Sequence, residues 1–525
     1  MKRLVSLFLA LVMVLSLSAS LAEVTYPLTT EPVTITIAVA QHNSDAVEDF
    51  NTKYAIKMAE EVTGVHIEWI PIQEGNTTEK VATMLAGDLP DVFLGLVGDT
   101  AIAQNPSLFV PIEDMIEEYC PNIYATYEES VDGWRTFMTY PDGHIYGLIA
   151  NYRFNPNNAI NGTMWINQTW LDNLGLAMPT TLKELEEVLI AFRDLDADGD
   201  GDATNEIPWD WCQKYYAAKW AEIAFMFGST MGSRGGGWFD IVDGKVTGAA
   251  REENFRAALE YMNYLCKEGL LNIEGITQTS DQYNANVDGG KVGVFTEWTN
   301  ATHISDPELR AQYVYVGPLS AEGYTFRTMP STLTANRNGF VITSACENVE
   351  LALQWWDYMS RDVAATHAAR SGPEGLTWEM IDGVPTSRSY TAEDAIAFGY
   401  ESIAQHAGTS VFAASMGLTN CPPMIVDSLA AAPGGSTQTR AYAVKSYEPY
   451  YTEQSMSVGI VPTEAQEEFD FATEGLSDHI NAFAAESIMN GVTDDSWNAY
   501  LKKLDDLNYD YYLEFMQKKL EGNWD

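Results

Sequence analysis

The chain is poor in cysteine, histidine and positively charged residues. Its 525 residues include 5 cysteines, 7 histidines and 29 lysines and arginines, against 74 aspartates and glutamates. The resulting formal net charge of −45 excludes nucleic acid and anionic lipid as partners, because the acidic surface would repel both. The same charge argues more weakly against a polyanionic ligand.

The cysteines are odd in number and widely spaced. Their spacing is neither that of a metal site nor that of a small domain stapled by disulfides. We expect isolated buried thiols, with a single disulfide as the alternative. The five positions are Cys120, Cys212, Cys266, Cys346 and Cys421.

Long apolar runs are missing beyond the first residues. Lys2 and Arg3 are positively charged, residues 4–17 are almost wholly apolar, and the small residues Ser20 and Ala22 follow. This pattern predicts a secretory signal peptide over residues 1–22, because its apolar segment is shorter than the roughly 20 residues that span a bilayer. No cysteine is close to the cleavage site. We therefore expect a secreted periplasmic or extracellular protein without a lipid anchor.

Strand and helix patterns alternate through the first hundred residues. Segments 33–39, 65–69 and 91–96 are typical of strands, and helical spacing over 47–62 and 77–86 separates them. This order predicts a parallel sheet, in which ligands bind beyond the carboxyl ends of the strands. The alternative for the polar residues at these ends is ordinary loop capping. Three of them are candidate ligand contacts: His42, Asn43 and Asp99.

The pattern changes near residue 150. An asparagine-rich crossing over 151–161 precedes a region in which helices dominate, and the last 60 residues are again helical. Segment 291–296 is typical of a buried strand, and we expect it to return to the first lobe. The predicted helices are 167–174, 181–193, 215–228, 252–268 and 347–361.

This organisation predicts two lobes that are each discontinuous in sequence. The N-terminal α/β lobe comprises residues 23–150 and about 295–400. The helix-rich C-terminal lobe comprises residues of about 151–294 and 401–525. No internal repeat and no low-complexity tract is present.

The most specific local pattern is an acidic loop over residues 194–206. With Asp196 as position 1 of an EF-hand-like loop, carboxylates fill positions 3 and 5, and Gly201 takes the sharp turn at position 6. The register then departs from an EF-hand, because Glu206 falls at position 11. Asp202 would contribute its carbonyl oxygen. We predict a structural Ca²⁺ site with these ligands: Asp196, Asp198, Asp200, Asp202 and Glu206.

Two other interpretations of this loop are less favourable. One is a solvated acidic turn after a helix that begins with the capping box of Thr181 and Glu184, but so many carboxylates would repel each other without a counter-ion. The other is a catalytic metal. Zinc would require histidine or cysteine, and a closed oxygen cage leaves no open coordination position.

Several stretches, taken in order, resemble family 1 extracellular solute-binding proteins of ABC sugar importers. Within that family the chain is similar to the large branch that includes alginate-oligosaccharide-binding proteins, which carries a calcium loop ending in Glu-Ile-Pro, here residues 206–208. The resemblance covers residues of about 32–520. The matching stretches are 87–91, 165–176, 179–182, 267–270, 289–295 and 372–375.

The resemblance implies an α/β, two-lobed periplasmic-binding-protein fold (type II-like) that closes around a sugar and docks on a membrane permease. Members are often lipoproteins, and this chain departs from them by lacking the acylated cysteine. We expect a monomer that binds an oligosaccharide, with the acidic composition favouring a neutral one. The resemblance transfers no individual ligand contact, because the contacting loops vary.

Sugar sites combine flat aromatic rings with polar side chains. Trp298 and Glu297 follow the end of a predicted strand, Trp238 follows a glycine-rich loop, and Arg370 precedes a Ser-Gly-Pro-Glu turn. We take these four residues as further candidate contacts. Most of the other tryptophans have the spacing of core residues, and a core position is the alternative for each candidate.

Three other functions compete with sugar transport. A secreted glycoside hydrolase or lyase would use two carboxylates about 5–9.5 Å apart, but 74 acidic residues make such a pair unspecific. The sequence has no G-x-S-x-G, H-E-x-x-H or phosphate-loop motif. A surface adhesion module is disfavoured by the absence of repeats. A binder of a non-sugar solute stays open, and we predict a protein that is not an enzyme.

Overall fold

The computed structural model describes most of the chain and leaves out its first 23 residues. The predicted signal peptide, His42, Asn43 and Cys421 lie outside the described residues. The described ranges are 24–41, 49–73, 76–130, 134–153, 160, 162–214, 221–233, 237–300, 302–330, 334–381, 384–388, 390–402, 436–452 and 460–524.

A five-stranded sheet forms the centre of the first lobe. Its strands are β1 Val33–Gln41, β2 Val65–Gln73, β3 Val92–Leu94, β4 Gly147–Arg153 and β11 Thr334–Ile342. The order is β2-β1-β3-β11-β4, in which β1, β2 and β3 are parallel, whereas β11 is antiparallel to both β3 and β4. The parallel sheet predicted from the alternating pattern is therefore confirmed for the first three strands.

Helices cover this sheet. Trp355 and Trp356 on one of them are both buried, and the indole of Trp356 stacks on Phe340 of β11 with ring centroids 4.9 Å apart. The bounds are α1 Tyr54–Thr63, α2 Thr77–Leu85, α3 Asp99–Gln104, α4 Ile116–Tyr119, α5 Pro121–Ser130, α6 Trp134–Met138, α13 Val349–Met359, α14 Val363–Ser371 and α15 Ala392–Ala397, with a hairpin of β12 Trp378–Ile381 and β13 Val384–Ser387.

A four-stranded sheet forms the centre of the second lobe, in the order β10-β5-β9-β6. Its strands are β5 Thr163–Asn167, β6 Ile207–Asp210, β9 Val292–Glu297 and β10 Tyr313–Val316. β9 pairs with β5 and β6, so the prediction that segment 291–296 returns to the first lobe is wrong. All six residues of β9 are buried. An apolar run of this kind indicates burial on both faces but does not identify the neighbouring strands.

Helices surround the second sheet more densely. Thr181 and Glu184 form the predicted capping box, so the start of α8 is confirmed. The bounds are α7 Gln168–Leu174, α8 Leu182–Asp194, α9 Ala221–Met226, α10 Glu253–Lys267, α11 Ser280–Asp288, α12 Pro307–Gln312, α16 Ser436–Tyr447, α17 Thr463–Ala472, α18 Leu476–Asn490, α19 Asp494–Asp506 and α20 Tyr509–Glu521, with a hairpin of β7 Asp240–Val242 and β8 Lys245–Thr247.

The two sheets are joined by two chain crossings at matching edges. β4 ends at Arg153 beside the start of β11 at Thr334, and this is the edge at which β1, β2 and β3 also end. In the second sheet, the start of β5 at Thr163 lies beside the end of β9 at Glu297. Since β4 leads into β5 and β10 leads into β11, both crossings connect these two edges. Both connections therefore join the edge where β1 to β3 end with the edge where β9 ends.

Four of the five cysteines are free thiols. Cys120, Cys212 and Cys346 are buried, and Cys266 is half-buried, as expected for isolated residues. Burial raises the pKa of the Cys266 thiol to about 12. Among the residues that the structure describes, no helix combines the length and the hydrophobicity needed to cross a membrane.

Gly64 provides a test of the first lobe. It ends α1 with a φ of 75°, and a Cβ at this position would lie 2.7 Å from the carbonyl oxygen of Thr29. We expect Gly64→Ala to lower the free energy of unfolding by at least about 1 kcal/mol more than Gly143→Ala. Gly143 has a φ of 91° but open space around it. Its substitution therefore measures only the cost of placing a side chain in a left-handed backbone conformation. Equal losses in denaturant titrations would contradict this contact.

Candidate functional site

A cavity of about 600 Å³ opens at the edge where the parallel strands of the first sheet end. A cavity of this size is sufficient for one or two sugar rings. Small and aliphatic side chains from the ends of β1 and β3 and from α2 and α3 line it. Its walls include Ala40, Thr78, Val81, Gly95 and Ala101.

Asp99 lies beside this cavity, as the first residue of α3. Its Oδ1 accepts hydrogen bonds from Asn338 Nδ2 at 2.8 Å and from the Tyr140 hydroxyl at 3.1 Å. The Arg337 Nε is 3.5 Å from the same oxygen, and the Arg337 side chain is only 7% exposed. Burial lowers the pKa of Arg337. The bulged strand β11 thus holds the predicted contact Asp99 in a fixed orientation.

Residues of the C-terminal helices reach this part of the first lobe. Burial lowers the pKa of Lys519 on α20, the charge of Asp99 opposes this shift, and the charge of Arg337 adds to it. Gln104 of α3 donates a hydrogen bond to Glu467 of α17 at 2.8 Å. The two lobes therefore also contact each other away from the β4–β5 and β10–β11 connections.

Glu297 and Trp298 lie at the matching edge of the second lobe. Glu297 ends β9 with 1% of its side chain exposed, and its Oε2 lies 2.9 Å from Nε2 of His303. Its other carboxylate oxygen accepts the backbone N–H of Trp298. The carboxylate of Glu297 therefore holds the loop after β9, whereas the indole of Trp298 is half-buried at the strand end.

Arg440 is a part of this edge that sequence reasoning missed. Its side chain is 1% exposed, and its guanidinium carbon lies 4.0 Å from the ring centroid of Trp298. The two residues are 142 positions apart, and no local pattern connects them. Only the folded chain brings α16 to the end of β9.

A buried carboxylate lies near Arg440. Glu222 of α9 is 4% exposed and accepts a hydrogen bond from the Tyr447 hydroxyl at 2.6 Å. Burial raises the pKa of Glu222 to about 7, although Tyr447 and the charge of Arg440 both favour its ionised form. Arg440 and Tyr447 belong to the same helix, α16. This helix therefore contacts both Trp298 and Glu222.

Trp238 is held by the C-terminal helices of the second lobe. Its indole N–H donates to the Ser477 hydroxyl at 2.8 Å, and its backbone N–H donates to Tyr512. The carbonyl oxygen of Trp238 accepts from the Tyr509 hydroxyl. The half-buried indole therefore packs on α18 and α20, and its role as a ligand contact stays a prediction.

The remaining candidate contacts are not described at the level of side chains. His42 and Asn43 follow β1 and lie outside the described residues. Arg370 is in α14, which packs on α1 and α13, and its side chain also lies outside the described part. These three residues stay predictions.

The acidic loop connects α8 to β6. Backbone N–H groups within the loop donate to its carboxylates: Gly199 and Gly201 donate to Asp196, both at 3.0 Å, and Ala197 donates to Glu206 at 2.8 Å. Gly199 and Gly201 have φ values of 79° and 96°, which side chains with a Cβ rarely adopt. The two glycines thus permit the tight coil that the EF-hand-like pattern predicts.

Three of the five predicted cation ligands converge. Oxygen atoms of Asp196, Asp198 and Glu206 all lie within 4.8 Å of one another. Burial, together with repulsion from Asp200 and Asp196, raises the pKa of Asp198. Glu206 Oε2 is buried and has no hydrogen-bond partner among the described residues. An orphaned carboxylate oxygen in an all-oxygen cluster fits a hard divalent cation.

The carboxylates of the other two predicted ligands have different partners. Asp200 accepts from the Asn205 side chain at 2.7 Å, and Asp202 accepts from the Thr204 hydroxyl at 2.6 Å. Neither carboxylate is in the converging group. The prediction for Asp202 used its carbonyl oxygen, and these side-chain bonds do not involve that oxygen.

Comparison with known proteins identifies the family. The model of the bacterial extracellular solute-binding protein family matches residues 44–366. The chain belongs to this family. Members of the family are binding proteins, so the resemblance described from the sequence is confirmed.

Relatives and solved structures extend this match to nearly the whole chain. The fructooligosaccharide ABC transporter substrate-binding protein FusA of Streptococcus pneumoniae is 26% identical over 484 residues, which cover 90% of this chain and 87% of FusA. The structure of FusA in complex with kestose has a TM-score of 0.78 at 23% identity, covering 93% of this chain and 99% of FusA. An EF-hand mutant of FusA has a TM-score of 0.77.

Two further structures share the fold. An HMO-binding solute-binding protein of Bifidobacterium longum infantis has a TM-score of 0.75 at 22% identity and covers 93% of this chain and 98% of its own. The alginate-binding protein AlgQ2 without calcium ion has a TM-score of 0.67 at 18% identity and covers 94% and 99%. The chain therefore has the mixed α/β, two-domain fold of solute-binding proteins.

Glu222 should make stability depend on pH. Its pKa rises from 4.5 to about 7 on folding, so the folded state favours the protonated carboxyl. That stabilisation is present below pH 4.5 and is lost as the pH rises through 7, with an upper limit of about 3 kcal/mol. We expect Glu222→Gln, which stays neutral, to be relatively more stable than the wild type at pH 8 than at pH 5. If urea titrations gave the same difference in the free energy of unfolding between the two proteins at pH 5 and pH 8, the raised pKa of Glu222 would be contradicted.

Proposed function

We propose that the protein captures an oligosaccharide between its two lobes and delivers it to the membrane permease of an ABC importer. The proposal is supported by the family to which the chain belongs and by the fructooligosaccharide transport system for which FusA is named. The bound sugar is released unchanged, since the family consists of binding proteins. The chemistry of the site is therefore recognition of hydroxyl groups and of apolar C–H faces.

One observation carries the proposal. The strand ends that hold Asp99 and Trp298 belong to different sheets, and both chain crossings connect these two edges. A polar carboxylate on one lobe and an aromatic ring on the other suit the two kinds of surface that a sugar presents. Closure of one lobe on the other would then enclose the ligand.

The proposed ligand is a neutral oligosaccharide. A net charge of −45 opposes the approach of a polyanionic chain, and FusA has been solved with kestose. Trp298, Trp238 and Asp99 are the proposed contacts among the described residues. Glu297 supports the loop that bears Trp298. The proposal keeps His42, Asn43 and Arg370 as candidate contacts.

We also propose the place and organisation in which this function is performed. Residues 1–22 act as a secretory signal peptide, and the mature protein works as a periplasmic or extracellular monomer. The first lobe comprises residues 23–153 and 334–402, and the second comprises residues 162–316 and 436–524. These boundaries follow the sheet membership of the strands.

A structural Ca²⁺ in the acidic loop is part of the proposal. Asp196, Asp198 and Glu206 would hold the ion, with oxygen atoms of Asp200 and Asp202 as further candidates. The ion would neutralise mutually repelling carboxylates and fix the end of α8 to β6, which lies beside β9. The solved EF-hand mutant of FusA supports a loop of this kind in a similar protein.

A glycan-panel calorimetry screen tests the function. We expect the protein to bind a fructooligosaccharide or another neutral oligosaccharide at micromolar concentration or below, and chromatography of the bound sugar should return it intact. Shortened products would indicate a hydrolase or lyase. Failure to bind every saccharide offered would exclude sugar transport.

Substitution of Trp298 tests the proposed contact. Trp298→Ala removes the aromatic surface against which a sugar ring would stack, and we expect its dissociation constant for the best-binding glycan to rise about tenfold or more. Trp298→Phe keeps an aromatic ring and should lose less affinity. An unchanged dissociation constant for Trp298→Ala would remove this residue from the site.

Chelation tests the calcium site. We expect a chelator to lower Tm by roughly 5 °C and added Ca²⁺ to restore it, because the ion binds only the folded loop. Asp198→Asn should abolish this response. Asp194→Asn is the matched control, since Asp194 is paired with Arg193 at 2.7 Å and lies outside the converging group. Identical melting of the wild type with and without chelator would refute the assignment.

A further inference from the structure

Arg440 of α16 contacts both the segment before β5 and the loop after β9, at the edge where β9 ends. Its Nη2 donates to the carbonyl oxygen of Ile160 at 2.6 Å, immediately before β5. Its Nη1 donates to the carbonyl oxygen of Trp298 at 3.3 Å, immediately after β9. Its guanidinium carbon lies over the indole of Trp298, 4.0 Å from the ring centroid. One side chain thus contacts both the backbone and the ring of Trp298.

This contact matters because Trp298 is not part of a strand. β9 ends at Glu297, and the ladder of the sheet therefore does not orient the next residue. The backbone N–H of Trp298 is held by the Glu297 carboxylate, and its carbonyl oxygen is held by Arg440. The cation on the ring face adds an attraction that depends on the angle of the indole.

An arginine suits this position better than a lysine. The planar guanidinium stacks on an aromatic face and donates in two directions at the same time, whereas an ammonium group is a point charge without a plane. Arg440 is also almost fully buried, and the carboxyl group of Glu222 lies near it. Tyr447, on the same helix as Arg440, holds the Glu222 carboxylate.

We propose that Arg440 is a positioning residue, which sets the indole of Trp298 at the angle required to stack on a saccharide ring. The guanidinium packs on one face of the indole, and the opposite face takes the apolar C–H surface of the sugar. This inference rests on the proposed function and adds to it. Arg440 itself does not touch the ligand.

The first arm of the test needs no sugar. Protein labelled with 5-fluorotryptophan gives one ¹⁹F resonance for each tryptophan, and Trp298→Phe assigns the resonance of Trp298. We expect Arg440→Lys to shift and broaden this resonance, since the amine cannot stack and donate to both carbonyl oxygens. If the lysine variant does not fold, Arg440→Gln, which removes the buried charge, should show the same broadening. An unaltered Trp298 resonance in the folded variant overturns the inference.

Arg310→Lys is the matched control. Arg310 also donates to two backbone carbonyl oxygens, those of Ile304 at 2.8 Å and Ser305 at 3.3 Å. It lies in the helix after the same loop, and its side chain bonds to Ile304 and Ser305 rather than to Trp298. We expect this variant to leave the Trp298 resonance in place. A shift as large as that of Arg440→Lys would mean that any loosening of this loop moves the indole.

The second arm is a double-mutant cycle on affinity, with kestose as the probe. We expect Arg440→Lys to raise the dissociation constant roughly tenfold in the wild-type background and less than twofold in the W298A background. Thermal unfolding should show the lysine substitution costing similar stability in both backgrounds. An equal loss of affinity in both backgrounds overturns the inference, because Arg440 would then act on the ligand without Trp298.

Failure of the proposed function is a separate outcome. If the wild type binds neither kestose nor any other glycan of the panel, sugar transport is wrong. The ¹⁹F arm still decides whether Arg440 sets the orientation of the indole.

Discussion

The pairing of β5 with β9 is the constraint on which the proposed binding site depends. It puts the start of β5 beside the end of β9, so that the first crossing enters the second sheet next to the loop that bears Trp298. The first sheet has the same arrangement, with β4 ending beside the start of β11. The cavity at the end of β3 and the indole at the end of β9 therefore lie on the side where the chain passes between the lobes.

Three positively charged side chains near the strand ends are buried or half-buried, although the chain as a whole is strongly acidic. Arg337 and Arg440 are almost fully buried, and Lys519 is half-buried. Each is near a carboxylate, Asp99 for Arg337 and Lys519, and Glu222 for Arg440. Buried charges are tolerated when they are paired and hydrogen-bonded. Such pairs restrict the orientation of nearby side chains more than they add to stability, and orientation is what a binding edge requires.

The acidic loop acts on the same edge through the sheet. It ends at β6, and β6 is the parallel neighbour of β9, with Ile207 opposite Val292. A cation that orders the loop would also fix the outer strand against which β9 packs. The loop and the proposed sugar site are therefore connected by one layer of backbone hydrogen bonds.

The sequence by itself determined the local features: the parallel strands β1 to β3, the capping box of α8, the glycines of the acidic loop and the family. These depend on residues that are close in the chain, where spacing is informative. Tertiary structure alone decided the neighbours of β9 and the contact of Arg440 with Trp298. An apolar strand fits either sheet, and a stacking partner 142 residues away leaves no periodic signal, so both were settled by packing between distant segments.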